Sequence, residues 1–301
     1  MNRRRFLALS AGAGGLAALA GLLPRELKRV ERTSWALGSK VSLTAFHEDA
    51  STARRAVDAS FEALDRIEDV LSLYRPGSQI RRLNAEGVLE RPHADLVACL
   101  RAALDWSRRT NGAFDPTVQP LWMAADVDAA LRLVDWRRVE VDDRRIRLAP
   151  GQAVTLNGIA QGFAADRVRD VLRAHGVRHA LANTGELGGF GRPWRVGIQH
   201  PREKDAYLAL ASLEDRFMAT SGDYETPGHI KDPATGRVPD ALESVTVLAP
   251  TGLEADALST AIFVLGPDKG LALAASRKDV DVFLSLKDGT TRRTPSFPVI
   301  A

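Results

Sequence analysis

Helical and strand-like patterns alternate from about residue 35 to the end of the chain, and this alternation limits the possible folds more than any other feature. Apolar residues recur at helical spacing in ASTARRAVDASFEALDRIEDVLS, and a strand-like alternation precedes it in WALGSKVSLTAFH. Other neighbouring strands are separated only by short turns, as in RRVEVDDRRIRLAP. This mixture predicts an α+β fold, with mixed sheets and packed helices, rather than a purely doubly wound sheet.

The first 23 residues have the layout of an export signal. Arg3–Arg5 precede an uncharged stretch rich in glycine and alanine, Phe6–Leu23, and the pair of arginines followed by phenylalanine and leucine resembles the twin-arginine pattern. A transmembrane anchor is the alternative, because a stretch of this length just suffices to span a bilayer. Its weak hydrophobicity favours a cleaved or loosely retained signal. We therefore expect a periplasmic protein, with residues 24–34 as a charged connector and residues 35–301 as the functional domain.

Charge and cysteine content exclude some classes of function. The formal net charge is +3, and Arg3–Arg5 alone account for that excess. A nucleic-acid partner would require a clustered excess of basic residues, so none is expected. Cys99 is the only cysteine and falls in an apparent amphipathic helix, which rules out an intramolecular disulfide and a Cys/His metal cluster. We expect it to be a small buried apolar residue.

The stretch TGLEADALSTAIF places Asp256 and Thr260 four residues apart in an otherwise apolar helix. At this spacing the two side chains lie on one face of the helix. A carboxylate and a hydroxyl together suit a hard cation such as Mg²⁺, which prefers oxygen ligands. The alternative is purely structural, with Asp256 supporting the helix start and Thr260 bonding to a carbonyl one turn earlier.

Three further segments have both a functional and a structural interpretation. Gly158 and Gly162 flank the entry into a helix, where N–H groups favour a phosphate, but an ordinary tight turn explains them equally well. His229 lies in an irregular segment and is either a catalytic group or a hydrogen-bonded loop residue. Tyr74 either stacks on a flat ring or covers the edge of the core.

Seven segments in the same order resemble the FAD:protein FMN transferases of the ApbE family. The resemblance covers nearly the whole chain after the signal. The segments are ALGSKVSL, LYRPGSQIRRLN, TNGAFDPTVQPLW, LNGIAQGFAADRV, ALANTGELGGFG, the pair MATSGDYE and HIKDPATGRV, and SVTVLAPTGLEADALSTAIFVLG. Each segment is moderately specific, and their common order makes a chance match improbable.

The resemblance implies a magnesium-dependent transferase that takes FAD as its substrate. In this family Asp256, Thr260 and the backbone carbonyl of Ala160 would hold Mg²⁺. A threonine or serine hydroxyl of an acceptor flavoprotein would attack the phosphorus on the riboflavin side, so that FMN is transferred and AMP is released. The acceptor would be a periplasmic or membrane redox protein. Reactions of this kind depend on positioning and electrostatics.

The resemblance also implies which residues surround the dinucleotide. His229 and Asp256 are the candidate catalytic residues, with His229 helping to deprotonate the acceptor hydroxyl. The expected FAD-binding residues come from several segments of the chain: Tyr74, Phe114, Asp115, Gly158, Ala160, Gln161, Thr220, Ser221, His229 and Asp232.

Several positions differ from the usual family pattern. Gln161 replaces a lysine, which removes a positive charge, and Asn157 and Glu186 replace a glycine and an aspartate. Lys231 replaces an isoleucine and brings a positive charge from another segment. These differences leave alternatives open: a flavin-binding or delivery protein without turnover, an FAD pyrophosphatase, or a periplasmic solute receptor.

Overall fold

An eight-stranded antiparallel sheet carries the main helices on one face and a small three-stranded sheet on the other. The computed structural model describes residues 27–224 and 226–300. The predicted export signal, residues 1–23, lies outside the described residues. In spatial order the strands of the large sheet are β1 (Lys28–Ala36), β2 (Ser39–His47), β6 (His179–Asn183), β7 (Leu187–Phe190), β10 (Arg216–Gly222), β11 (Leu242–Ala249), β12 (Asp281–Leu286) and β13 (Thr291–Arg293).

Two smaller sheets and seven α-helices complete the fold in the described part of the chain. The sheet packed on the large one contains β14 (Val299–Ile300), β9 (Tyr207–Leu213) and β8 (Trp194–Gln199), and the other contains β3 (Val88–Glu90), β5 (Arg145–Arg147) and β4 (Glu140–Val141). The helices are α1 (Ala50–Leu71), α2 (Gln79–Glu86), α3 (Ala94–Arg109), α4 (Val127–Leu131), α5 (Ala160–Ala174), α6 (Gly252–Leu265) and α7 (Pro267–Ala275). Short 3₁₀ helices span Pro116–Trp122 and Trp136–Arg138. The predicted α+β class is confirmed.

Alternation along the central strands explains how the sheet is covered on both faces. In β2, Leu43 and Ala45 join the large core beneath the helices, whereas Phe46 joins a second core under the small sheet. Successive side chains of a strand point to opposite faces, so one strand contributes to both cores. Cys99 of α3 is fully buried in the larger core, as predicted. No helix among the described residues is long and apolar enough to cross a membrane.

Residues 28–34 are not a connector, which corrects one predicted boundary. They form most of β1, which pairs along its whole length with β2. The single strand predicted around Gly38 is a hairpin, because Leu37 and Gly38 have φ of 54° and 73° and turn the chain. As an edge strand with mostly exposed side chains, β1 lacks the apolar alternation that marks a half-buried strand.

Other short elements were also missed. The predicted turn-rich segment LYRPGSQIRRLNAEG contains α2, whose buried residues are only Ile80 and Leu83. The predicted loop TGELGGFGRP contains β7, and α7 follows α6 after a single residue, Gly266. The predicted hairpin around Asp142 is confirmed by the pairing of β4 with β5. Elements of four to nine residues carry too few apolar positions to reveal a period.

Candidate active site

A cleft of about 380 Å³ lies where the first turn of α5, one face of α6 and the end of β10 meet. Eleven of the residues predicted for the site line this cleft, although they come from segments far apart in the chain. They are Tyr74, Phe114, Asp115, Gly158, Ala160, Gln161, Thr220, Ser221, His229, Asp256 and Thr260. The exception is Asp232.

The first turn of α6 is held by side chains on two elements. Thr251 caps the helix by accepting a hydrogen bond from the N–H of Glu254. The carboxylate of Asp166, on α5, accepts from the N–H groups of Gly252 at 3.1 Å and Leu253 at 3.0 Å. Because these N–H groups have no partner within the helix, the two caps stabilise its start. The position of α6, and with it Asp256, is therefore tied to α5.

Asp256 is a buried carboxylate on α6. Its side chain is only 4% exposed, and its Oδ2 atom accepts a hydrogen bond from the N–H of Gly162 at 2.9 Å. No ion pair joins it to a basic side chain among residues 27–224 and 226–300. Burial raises its pKa to about 7, and the hydrogen bond from Gly162 partly opposes that rise. A buried, uncompensated carboxylate is the kind of group that a cation would stabilise.

The hydroxyl of Thr260 belongs to a chain of hydrogen bonds with a defined direction. Ser259 donates to the backbone carbonyl of Asp256 at 2.9 Å, so its oxygen must accept the 2.8 Å bond from Ser221. Ser221 has then used its only proton, and the 3.2 Å contact with Thr260 requires that Thr260 donate. Each hydroxyl has one donor hydrogen and two lone pairs. The lone pairs of Thr260 therefore remain free to bind a cation.

The structure brings Ala160 to the same place. A Cβ atom added at Gly158 would lie 2.8 Å from Oγ1 of Thr260, and Gly162 bonds to Asp256. Ala160 lies between these two glycines and lines the cleft. A carboxylate, a hydroxyl and a backbone carbonyl form an oxygen donor set with open positions, which fits Mg²⁺. No group of three or more His, Cys, Asp or Glu side chains suitable for a metal occurs in the described part of the chain, so backbone and hydroxyl oxygens are needed.

The glycine segment before α5 does not offer its N–H groups to a phosphate in the way the sequence suggested. Several of them donate within the protein instead: Asn157 to Thr155, Ile159 and Ala160 to Leu156, and Gly162 to Asp256. Gly162 also allows a close helix contact, since a Cβ atom there would lie 2.1 Å from the carbonyl oxygen of Gly252. Tight packing of α5 against α6 thus explains this glycine.

His229 lies in the irregular segment after β10. Its Nδ1 atom is 2.6 Å from the carbonyl oxygen of Thr226, and because that oxygen can only accept, Nδ1 carries the proton. Burial lowers the pKa of His229, although the Thr226 bond and the nearby Asp223 oppose this. The neutral ring therefore keeps a lone pair on Nε2, as a general base requires.

Two of the predicted aspartates hold the backbone in place. Asp115 lines the cleft, but its carboxylate accepts from the N–H and hydroxyl of Thr117 and from the N–H of Trp136. Burial raises the pKa of Asp115. Asp232 does not line the cleft. Its carboxylate accepts hydrogen bonds from the N–H of Ala234 and the hydroxyl of Thr235 within its own turn. Its predicted contact with the dinucleotide is not supported by this geometry.

Aromatic and hydroxyl groups line the remaining walls. Tyr74 is 44% exposed at the cleft, and its hydroxyl accepts a hydrogen bond from the amide of Asn157 at 3.4 Å. Thr220 is exposed; its N–H donates to Glu186, and its hydroxyl contacts Thr246 at 2.9 Å. Phe114 is nearly buried beside Gly158. The ring of Tyr74 is therefore accessible for stacking.

Comparison with known proteins identifies the family of this chain. The model of the ApbE family matches residues 37–284, most of the chain. The chain belongs to the ApbE family. An FAD:protein FMN transferase of Klebsiella pneumoniae (strain 342) is 31% identical, with 84% of this chain and 87% of that protein covered. A protein of the same name from Treponema pallidum (strain Nichols) is 32% identical, with 81% and 80% covered.

Solved structures of ApbE proteins have the same fold. The apo form of the flavinyl transferase ApbE of Pseudomonas stutzeri superposes with a TM-score of 0.80 at 32% identity, covering 89% of this chain and 95% of that one. The ApbE protein of Thermotoga maritima gives a TM-score of 0.81 at 26% identity, covering 89% and 98%. The predicted family and ApbE-like fold are therefore confirmed.

Sequence reasoning missed several parts of this ApbE cleft. Gln199 and Gly197 come from β8, which was predicted only as a strand, and Trp122 comes from the segment predicted as a loop. Leu187 and Met218 face the cleft from β7 and β10. Apolar and amide side chains carry no chemical signature in a single sequence, and no local pattern could have identified them.

Proposed function

We propose that the protein is an FAD:protein FMN transferase, consistent with the predicted class of enzyme and with the names of its relatives. The observation that carries the proposal is the convergence of Asp256, Thr260 and Ala160 at one cleft, with His229 in the same lining. A site built from a buried carboxylate and a directed hydroxyl suits a metal-assisted reaction at a diphosphate.

The proposed metal is Mg²⁺, held by the carboxylate of Asp256, the hydroxyl of Thr260 and the carbonyl of Ala160. When bound, Mg²⁺ would neutralise charge on the phosphate oxygens. The chain itself orients these ligands, because Ser221 accepts a hydrogen bond from the hydroxyl of Thr260 and the N–H of Gly162 donates one to Asp256. Groups that orient metal ligands in this way strongly affect metal binding.

The proposed acceptor is a threonine or serine hydroxyl of a flavoprotein. Its oxygen forms a bond to the phosphorus on the riboflavin side, while the bond from that phosphorus to the bridging oxygen breaks. AMP leaves with the bridging oxygen, and the hydroxyl proton passes to Nε2 of His229. The protein holds the reacting atoms together, which is the main requirement for phosphoryl-type transfer.

We also propose that the protein is exported and acts on a periplasmic or membrane redox protein. Support comes from the sequence of residues 1–23, with Arg3–Arg5 before the uncharged stretch. Cell fractionation of the full chain, with and without lysine in place of Arg3 and Arg4, tests this proposal. Retention of the wild-type chain in the cytoplasm would contradict it.

The experiment that tests the activity is incubation with FAD, Mg²⁺ and candidate acceptor domains from redox proteins, followed by intact mass measurement. We expect the acceptor mass to increase by one FMN unit, AMP to appear in solution, and chelation to stop both. An acceptor with its threonine replaced by valine is the matched control. Free FMN without an adduct would indicate a pyrophosphatase, and bound flavin without turnover would indicate a delivery protein.

A further inference from the structure

Among the aspartate, glutamate, lysine and arginine side chains that line the cleft, all but one are acidic. Asp115, Glu186 and Asp256 contribute carboxyl groups. Lys231 is the only lysine or arginine among the described residues that line the cleft, although the chain contains 41 such residues. Gln161, at the start of α5, is neutral. A cleft with this balance would repel a dinucleotide unless a cation acted on its diphosphate.

In the part of the chain that the structure describes, no ion pair neutralises the charge of Lys231. No carboxylate among the described residues lies within 4.0 Å of its ammonium group, whereas the neighbouring Asp232 is engaged by Ala234 and Thr235. A half-buried ammonium facing a ligand cleft without a partner is available for an anion.

The backbone around Lys231 is held in place beside the cleft. Ile230 is 8% exposed and packs in the large core. On the other side, the N–H of Asp232 donates to the carbonyl of Arg237 at 2.8 Å, and the N–H of Gly236 donates to the carbonyl of Asp232 at 2.8 Å. The backbone at Lys231 is therefore held between a core residue and a closed turn.

We propose that Lys231 binds the diphosphate of the dinucleotide and so distinguishes FAD from flavins that lack phosphate. The inference rests on the proposed function, because it requires FAD to be the ligand of this cleft. Lys231 would act together with the Asp256 and Thr260 site, from a different segment of the chain. An ammonium acts on phosphate as a point charge and needs no fixed geometry.

The test compares FAD and riboflavin binding to the Lys231→Met and Lys231→Arg variants by calorimetry in the presence of Mg²⁺. Loss of one favourable charge contact should weaken FAD binding about tenfold in Lys231→Met, with riboflavin affinity unchanged. Lys231→Arg should stay within about twofold of wild type because it keeps the charge. Lys278→Met, at an exposed lysine outside the cleft, should change nothing.

The outcomes separate this inference from the proposed function. Equal FAD affinity in Lys231→Met and wild type, or an equal loss for FAD and riboflavin, overturns the role of Lys231. If wild type binds FAD in a Lys231-dependent way but transfers no FMN, the transferase proposal fails and the Lys231 inference stands. Wild type that binds no FAD would overturn both.

Discussion

The backbone N–H of Gly162, on α5, donates a hydrogen bond to Oδ2 of Asp256, on α6, at 2.9 Å. This bond is possible only because the two helices approach closely: a Cβ atom at Gly162 would lie 2.1 Å from the carbonyl oxygen of Gly252 and 2.7 Å from Cβ of Asp256. The same contact buries the carboxylate and orients it. Helix packing and site chemistry therefore depend on one glycine.

Gly162→Ala should destabilise the protein and abolish FMN transfer, because the added methyl group forces α5 and α6 apart. Overpacking of this kind costs about 3 kcal/mol. Urea unfolding measures the loss. Gly77→Ala is a suitable control, since nothing lies within 4 Å of its Cβ position and only its φ of 79° is unfavourable; the strain costs about 1 kcal/mol. Equal losses in the two variants would contradict the packing argument.

Asp256→Asn should stabilise the metal-free protein, and the gain should be larger at pH 8 than at pH 5. Burial raises the pKa of Asp256 in the folded protein to about 7, above the ordinary 3.8, so the folded state loses stability as the pH rises through that range. Asparagine does not ionise, which removes a cost on the order of 2 to 4 kcal/mol at pH 8. Melting temperatures in chelator at the two pH values test this.

Mg²⁺ provides the second half of that test. It should raise the melting temperature of wild type at pH 8 and leave Asp256→Asn unchanged, because binding to the folded state stabilises it. Asp240→Asn, at an exposed residue outside the cleft, serves as the control and should respond to Mg²⁺ as wild type does. A full Mg²⁺ response in Asp256→Asn would remove Asp256 from the metal site.

Ser259→Ala should weaken Mg²⁺ binding although Ser259 is not one of the proposed ligands. In this variant Ser221 can no longer donate its hydrogen to the oxygen of Ser259, so it can donate to Thr260 instead of accepting from it. The lone pairs of Thr260 are then no longer reserved for a cation. We expect a loss of about tenfold, as for other groups that orient metal ligands. Titration calorimetry with Mg²⁺ measures it. Ser276→Ala is the control. It removes a similar hydrogen bond, from the Ser276 hydroxyl to the carbonyl of Leu273 at the end of α7, and should leave Mg²⁺ binding unchanged.

His229→Gln should slow transfer about a hundredfold and leave FAD affinity within twofold, because it removes a base but little binding surface. Since the pKa of His229 is lowered below 6.5, wild type should keep its activity at pH 6.5 and lose it at lower pH as the ring gains a proton. Steady-state rates across this range test the assignment. His175→Gln is the matched control: the Nδ1 atom of His175 also contacts a backbone carbonyl, that of Val171, but His175 is outside the cleft.

The sequence alone identified the long elements and the family. The apolar positions of α1, α3, α5 and α6 repeat often enough to reveal a helix, and the ordered motifs carried the resemblance. It also named eleven residues that line the cleft, several of them because hydroxyl, carboxyl and imidazole groups are recognisable by their chemistry. The edge strand β1 and the short helix α2 were missed because few of their side chains are buried.

Only the tertiary structure decided which residues of the motifs meet at one cleft. Asp115 and Asp232 looked like ligand contacts, yet their carboxylates are used by neighbouring backbone groups. The direction in which the Thr260 hydroxyl donates its hydrogen bond depends on Ser221. Ser221 lies on β10, whereas Thr260 lies on α6. The bonds from Gly162 to Asp256 and from Thr260 to Ser221 join residues far apart in the sequence, and no local pattern encodes them.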